Sequence, residues 1–573
     1  MLNIVLFISA VLSITSLTIT EPADEETYDG DWLTIRVIVE NENELPDSVL
    51  YTLNGEPTIL VPRLNTDWPT YMQNNQNQGY SESPAPTDNS ILWTAPVTGQ
   101  MHEFPTPVVV DGTVFYTADS CGEGTADSLY ALNAVTGELI WKYDTGSADD
   151  AVTVSGGFVY SAADSIFCID ALTGLKIWAS GEADGGGSTP LVADGRVFCG
   201  TYWIYAAGYV DSSKVCCLDA GNGEVLWADT VYGNQASCMA LWDDLVILPT
   251  NEGYLYALDS STGNIVWENN DSQNGYWDSS PAIVDGIIYI NGFDGVCRGI
   301  NAASGLTIWE TPLTPGGLYD HLTATPACFG GSIFFGNQTD AFYCIDTASG
   351  NLVWNVAGNQ HGSPGIADGM VFYGEHVAVD DSARVVALDM VDGSEVWSYR
   401  TACSFMGFQG SPSITDGIVY YPCTDGKLYA FGSGLKFTYR DDLYASVGTN
   451  ELIATSFFGG TAVAADTVSF TVAGTGINLA PSSFFNLSAS PNPFVSMASI
   501  SFNLSEQGFT SVEIFDLAGR RIVTLVNSEL SAGTHSVNWS GAGTGGETVS
   551  AGLYLCRIHF GDVSETAGLC LLR

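Results

Sequence analysis

One thirteen-residue pattern constrains this chain more than any other feature. LYALNAVTGELIW ends at Trp141 and returns as IFCIDALTGLKIW (Trp178), VCCLDAGNGEVLW (Trp227) and LYALDSSTGNIVW (Trp267). CRGINAASGLTIW (Trp309), FYCIDTASGNLVW (Trp354) and VVALDMVDGSEVW (Trp397) complete seven copies, with successive Trp residues 37 to 49 apart. Each copy reads as an alternating strand, a tight turn between Asp or Asn and Gly, and a second strand closing on Trp. A fixed period of this length means a repeat architecture.

A second motif runs in phase with the first. An apolar strand, usually opened by Pro, reaches a turn and leaves as a β-branched or aromatic strand. PVVVDGTVFY (107–116), PAIVDGIIYI (281–290) and PSITDGIVYY (412–421) carry it most clearly, and five weaker versions bring the number to eight. Asp-Gly between alternating runs signals a hairpin, because its turn needs positive φ. Two hairpins per period make a four-stranded sheet, and radial repetition of such sheets makes a β-propeller. The eighth copy ends at KLYAFG (427–432) with no Trp strand after it, whereas ILWTAPV, around Trp93, has a Trp strand and no hairpin before it. Pairing the two removes an exposed edge. The expectation is therefore an all-β chain with an eight-bladed propeller over residues 89–432, closed by its N-terminal strand. The eight Trp residues (Trp93, Trp141, Trp178, Trp227, Trp267, Trp309, Trp354, Trp397) are read as structural.

The pattern [LI]-Y-A-L-D-x-x-[ST]-G-x-x-x-W resembles the pyrroloquinoline-quinone-like (PQQ-like) propeller repeat over roughly 340 residues. That family includes quinoprotein alcohol dehydrogenases and a non-enzymatic scaffold of outer-membrane protein assembly, and fold alone does not choose between them.

Charge narrows the field of partners. With 65 acidic against 16 basic residues, the formal charge is −49, although only 14% of residues are charged. Such a field repels phosphate backbones, so nucleic acid is excluded as a partner. Residues 2–19 carry no charge and precede the acidic EPADEETYDGD. They read as an export signal over residues 1–20, without the usual basic start, and an uncleaved anchor is the alternative. Residues 21–88 read as a small β segment and a Trp-containing irregular lead-in, NTDWPTYMQNNQNQGYSESPAP (65–86).

Most of the thirteen cysteines fall on repeat positions. Cys168, Cys217 and Cys344 stand where other copies have Ala, and Cys199 and Cys328 fall on strands, so they read as small buried residues. The adjacent Cys216 and Cys217 are similar to the vicinal disulfide of quinoprotein dehydrogenases. Inside a strand, however, neighbours face opposite sides. Cys403 with Cys423, and Cys556 with Cys570, are spaced for cross-links in an exported protein.

Binding in a propeller is expected at the axis mouth, on loops joining the Trp strand of one blade to the first strand of the next. These loops carry His102, Glu103, Asp149, Asp150, Gln235, Trp277, Asp278, Asp320, His321, His361 and Gln409. Aromatic, amide and carboxylate groups in this mixture suit a sugar or a peptide; the alternative is the wet end of a channel. A longer insertion, TYWIYAAGYVDSSK (201–214), is either an aromatic contact patch or a cover for a neighbouring loop.

Residues 433–484 read as a β linker. Beyond them, NLSASPNPF, ISFNL, VEIFDLAGRRIVTLV, LSAGTHSVNW and VSAGLYLCRI follow in order over residues 486–558. This order is similar to the type IX secretion C-terminal sorting domain and to the flagellar hook-capping immunoglobulin-like fold. The resemblance implies an Ig-like sandwich over residues 485–573 that engages secretion machinery and directs export to the outer surface.

Catalytic patterns are not found. No G-x-S-x-G, HExxH or CxxCH is present, and GAGTGG (541–546) lacks strand–helix context. The reading is an exported binding or scaffold propeller with no metal or other cofactor, recognising an extracellular protein, peptide or polysaccharide. The alternatives are a dehydrogenase using PQQ and calcium, and a lectin-like polysaccharide binder.

Overall fold

The computed structural model describes residues 14–21, 27–29, 32–41, 48–53, 59–60, 66–96, 106–118, 127–146, 151–181, 188–200, 212–313, 321–337, 341–358, 362–377, 382–401, 407–444, 448–458, 461–473, 488–490, 497–504, 507–515, 521–543, 549, 552–560 and 563–571, less positions 164, 236, 273 and 409. They fall into two compact units. One is Thr66–Leu435; the other combines Met1–Asn65 with Lys436–Arg573.

The unit Thr66–Leu435 is built from all-β, propeller-type sheets of four strands. Eight such antiparallel meanders occur among the described residues, seven of them in chain order, and to the seventh the short strand Tyr80–Ser81 adds in parallel beside Gly365–Ala367. The hairpin between first and second strands turns as its sequence dictates. Asp111 (φ 49°) and Gly112 (φ 71°) both take positive φ, and Asp194–Gly195, Asp285–Gly286, Asp368–Gly369 and Asp416–Gly417 repeat this. The turn before the Trp strand is fixed differently. The Asn133 side-chain oxygen accepts the N–H of Val135 and of Thr136, each at 2.9 Å, and Asp170 accepts from the Thr173 N–H and hydroxyl. These bonds to the ionised form hold the Asp170 carboxyl below its ordinary range.

The last sheet draws on both ends of this unit. Ser413–Thr415, Ile418–Cys423 and Lys427–Phe431 supply three strands, and Ile91–Pro96 is the fourth, with Ala430 opposite Trp93.

The repeat Trp explains why sheets stack in series. The indole N–H of Trp93, Trp141, Trp178, Trp227, Trp267, Trp309 and Trp354 is donated to the carbonyl of Ala134, Ala171, Ala220, Ser260, Ala302, Thr347 and Met390, at 2.9–3.1 Å. Each acceptor follows the Asp or Asn that opens the turn of the next sheet. The Gly ending that turn lies flat on the same ring: a Cβ on Gly137, Gly263 or Gly305 would stand 2.5–2.6 Å from a ring carbon, and all three have positive φ. The T-G-x-x-x-W spacing is thus two halves of a contact between neighbouring sheets. Trp397 departs from the series. The eighth sheet has no such turn, and the indole donates instead to Pro86 O at 2.8 Å.

The lead-in forms the centre of the unit. Each first strand is three residues long and would leave one edge unpaired. Thr66 bonds Thr415 and Asp416 in the eighth sheet, and Trp68 exchanges N–H···O bonds with Val109 in the first. Pro69 O accepts from Val154, Asn75 O from Leu241, Gln76 O from Ile283, Gln78 O from Cys328 and Gly79 O from Ile366, all at 2.7–2.8 Å. The Asn75 amide reaches Val192 O in the third sheet, and Ser83 Oγ returns to the Gly417 N–H in the eighth. In eighteen residues, from Thr66 to Ser83, the segment visits every sheet in order. Trp68 and Met72 are fully buried.

A belt of hydroxyls runs beside it. Ser280, Thr325, Ser363 and Ser411 each precede a Pro that opens a first strand. Each accepts the N–H of the matching residue one sheet earlier: Cys238 to Ser280, Ser280 to Thr325, Thr325 to Ser363 and Ser363 to Ser411, at 2.8–3.0 Å. Pro has no N–H to spend, so the residue before it supplies both donor and acceptor.

The cysteines follow the strand alternation. Cys216 packs among Cys168, Cys199 and Leu218, and Cys217 among Phe198, Val215 and Leu248, on the opposite side of the sheet. No vicinal bond joins them.

In the second unit, segments from either side of the repeats share sheets. Ile14–Glu21, Trp32–Asn41 and Leu435–Tyr444 form one. Thr27–Asp29, Thr461–Ala473, Gly448–Phe458, Ser48–Leu53 and Ile59–Leu60 form another, in that order. The residues expected as a leader thus overlap a strand paired along Trp32–Asn41. Farther on, a three-stranded and a four-stranded sheet enclose one core of Ile500, Phe502, Val512, Ile514, Trp539, Tyr554 and Ile558. The expected Cys556–Cys570 bridge does not form. Register sets Cys556 opposite Ala567 and Cys570 opposite Leu553, and Cys556 is a free thiol. Cys403 lies outside the described residues. No helix among them is long and apolar enough to cross a membrane.

Trp178, buried between sheets, should lose about 3–5 kcal/mol of stability as Trp178→Ala. Leu172→Ala, at a site 83% exposed, should change it by less than about 0.5 kcal/mol. Urea unfolding compares the two. Thr325→Ala leaves the Ser280 N–H without its acceptor and should cost about 1–3 kcal/mol by the same measurement.

Candidate functional site

The loops between a fourth strand and the next first strand gather on the face that also carries the turns between second and third strands. His102, Glu103, Asp149, Asp150, Asp320, His361 and Gln409 lie outside the described residues, as do insertion residues 201–211. Gln235, Trp277, Asp278 and His321 are described.

Gln235 turns inward. Its amide N–H donates to Ser188 Oγ (2.5 Å) and Ser237 O (2.9 Å), and its backbone N–H donates to Ser213 Oγ. The side chain is only 1% exposed and leaves no room for a Cβ on Gly200. Gln235 therefore braces neighbouring strands instead of presenting its amide at the surface.

Trp277, Asp278 and His321 behave differently, and Phe293 connects two of them. The loop leading to Trp277 is pinned from both sides: Tyr276 N–H donates to Thr250 O, and Gly275 O accepts from Phe293 N–H at 2.9 Å. Tyr276 packs its ring fully out of solvent beneath, and burial pushes its phenol up. Trp277 is left 43% exposed, with its ring centre 5.8 Å from that of Phe293. Phe293 in turn stacks on His321 at 3.5 Å and 10°. Three rings form a continuous row across two sheets.

The row stands on a buried ionic frame. Arg298, side chain 3% exposed, makes two bonds to the Asp294 carboxylate (3.0 and 2.6 Å), one to Glu310 (2.9 Å) and one to Asp271 O (3.2 Å). A bidentate guanidinium–carboxylate pair fixes direction as well as distance. Because Asp294 follows Phe293, the pair fixes the ring's backbone.

Two polar groups flank the rings. His321 Nδ1 lies 2.8 Å from Phe293 O. A carbonyl only accepts, so Nδ1 carries the proton and Nε2 of the neutral ring is an acceptor. Asp278 sits at φ 58°, is exposed, and has no hydrogen-bond partner among the described residues. The residue is open to solvent on one side, while protein packs closely around its carboxyl on the others. That crowding raises its pKa above the ordinary value. Chemically, the site offers flat π-faces for stacking and, in the Asp278 carboxylate, an acceptor for donors on a ligand.

Phe293 and the Arg298–Asp294 pair were missed because NGFDGV occupies a turn that varies between copies. Lining up those turns (TNEG, NGFDG, CTDG) would have shown one aromatic residue standing out. Among the described residues, no group of three or more His, Cys, Asp or Glu is arranged to hold a metal ion.

Four-stranded sheets joined in series by Trp define a propeller-type repeat protein. The family model described as "Outer membrane protein assembly factor BamB" matches residues 85–161, 162–317 and 293–434, more than half of the chain. This chain belongs to that PQQ-like repeat family. The assembly factor BamB of Salmonella typhimurium is 24% identical over 369 residues, covering 60% of this chain and 88% of that protein. BamB of Yersinia pestis is 28% identical over 201 residues, 33% of this chain, which spans half of that relative's length. Among solved structures, a quinohemoprotein alcohol dehydrogenase from Pseudomonas putida is similar in fold, with a TM-score of 0.51 and 17% identity over 64% of this chain and 80% of that one.

Ionisation of Asp278 should weaken the fold. Its folded pKa is raised, so between the unfolded and folded values the native state holds more protons, and stability falls as pH rises through that window. Asp278→Asn should raise the urea midpoint at neutral pH, and the gain should shrink to a constant remainder below about pH 3.9.

Proposed function

We propose that this chain is an exported, non-catalytic binding or scaffold protein. Its eight sheets are the blades of one closed propeller, and an Ig-like sandwich at residues 485–573 engages secretion machinery and displays it at the outer surface. The family's assembly-factor relatives support a role in which a rigid frame holds partners together. The observation that carries the reading is the Trp277–Phe293–His321 row. Its rings are oriented from below by Arg298 and flanked by the Asp278 carboxylate, and they suit recognition of a polysaccharide or of an extracellular protein or peptide. The remaining axis-mouth residues (His102, Glu103, Asp149, Asp150, Asp320, His361 and Gln409) belong to the same proposed surface. The net charge of −49 directs it away from nucleic acid.

The second reading, a dehydrogenase using quinone and calcium, is supported by sequence likeness to a quinone-dependent alcohol dehydrogenase subunit, 25% identical over 34% of this chain. A glycan array run beside a pull-down from culture medium tests the first reading. Binding should appear in one of them and fall about tenfold or more in Trp277→Ala, with the urea midpoint shifted less than in Trp178→Ala, because Trp277 lies in a loop and is 43% exposed. Dye-linked oxidation of alcohols or sugars after reconstitution with quinone and calcium would overturn it in favour of the enzyme.

A further inference from the structure

The third sheet holds two thiols placed for a bond that the structure does not contain. Cys199, in Arg196–Gly200, lies directly opposite Cys216, in Ser212–Asp219. Their sulfurs are 3.1 Å apart, about 1 Å beyond a disulfide's 2.03–2.05 Å. Directly opposed residues of an antiparallel pair have Cα atoms about 4.5–5.5 Å apart, within the roughly 4.4–6.8 Å that a disulfide spans. Cys217 cannot compete, since it faces the other side of the sheet. The two strands are consecutive, and the chain between them is the aromatic insertion, residues 201–211.

We propose that Cys199 and Cys216 form a cross-strand disulfide when the protein folds in an oxidising compartment, a covalent clasp at the base of the hairpin that carries the insertion. The oxidant is a small-molecule or protein disulfide. One thiolate attacks it and releases a thiol, forming a mixed disulfide. The second thiolate attacks that intermediate and releases the other thiol. Two cysteines are oxidised by two electrons and one disulfide is reduced to two thiols. The step belongs to folding. In the native state both sulfurs are fully buried, and burial also pushes the Cys199 thiol well above its ordinary pKa, so the thiolate is scarce and the oxidant cannot reach it. The geometry stands whatever the export route; the location proposed above supplies only the oxidant.

The test refolds the reduced full-length chain in a buffer of glutathione and glutathione disulfide. Thiols are then alkylated under denaturing, non-reducing conditions, and peptides are mapped by mass spectrometry. Near-complete loss of alkylation at Cys199 and Cys216, a linked peptide joining them and full alkylation of Cys217 are expected. Cys217→Ser should retain the link, whereas Cys216→Ser should return Cys199 to full alkylation. Full alkylation of Cys199 and Cys216 in the folded wild-type protein, or a link from either to Cys217, overturns the proposal. Failure of ligand binding leaves this result untouched, so the two readings fail separately.

Discussion

Every first strand in the Thr66–Leu435 unit would be an edge without the lead-in, and the structure depends on what satisfies those edges. A three-residue strand contributes little packing, and its outward N–H and C=O groups would be costly if dry and adhesive if wet. The chain answers with its own residues 66–86. Carbonyls from Trp68 to Gly79 accept N–H groups of six first strands in turn, and side chains of Thr66, Asn75 and Ser83 serve the others. The composition of this segment follows from the task. Asn and Gln amides can donate and accept where backbone geometry falls short, as Asn77 does by reaching both Met239 O and Pro281 O.

Much of the frame was legible because each repeated residue has a local physical role. Asp-Gly turns demand positive φ, the Gly before each Trp strand leaves room for a neighbour's indole, and alternation sets cysteines on opposite faces. The pairing of Trp93 with Ala430 could be read from two half-motifs, each lacking what the other has. Residues 66–86 resisted the same reading. Their bonds run to strands as much as 350 positions away, and nothing periodic within the segment records a ring of partners.

The site divides along the same line. Trp277 and Asp278 could be picked out as polar and aromatic residues in a connecting loop, but what orients the ring row lies elsewhere: Phe293 in a variable turn and Arg298 within a strand. Gln235 shows the converse. An amide in the right loop is drawn into bonds with Ser188 and Ser237, because a tight strand junction needs donors more than the surface does. Position along a loop therefore says which residues are available, and the packing beneath decides which are presented.

The seam at Trp93 has a consequence for how such a molecule is made. The strand that completes the last sheet is synthesised among the first hundred residues, and its partner emerges more than three hundred later. Pro86 likewise waits for Trp397, 311 positions downstream. Contacts of that separation are slow to form, because a long loop must close before any of them is rewarded. A nascent chain of this design leaves its last sheet one strand short until Phe431 has emerged, so a strand made before every repeat hairpin is the last to find its partner.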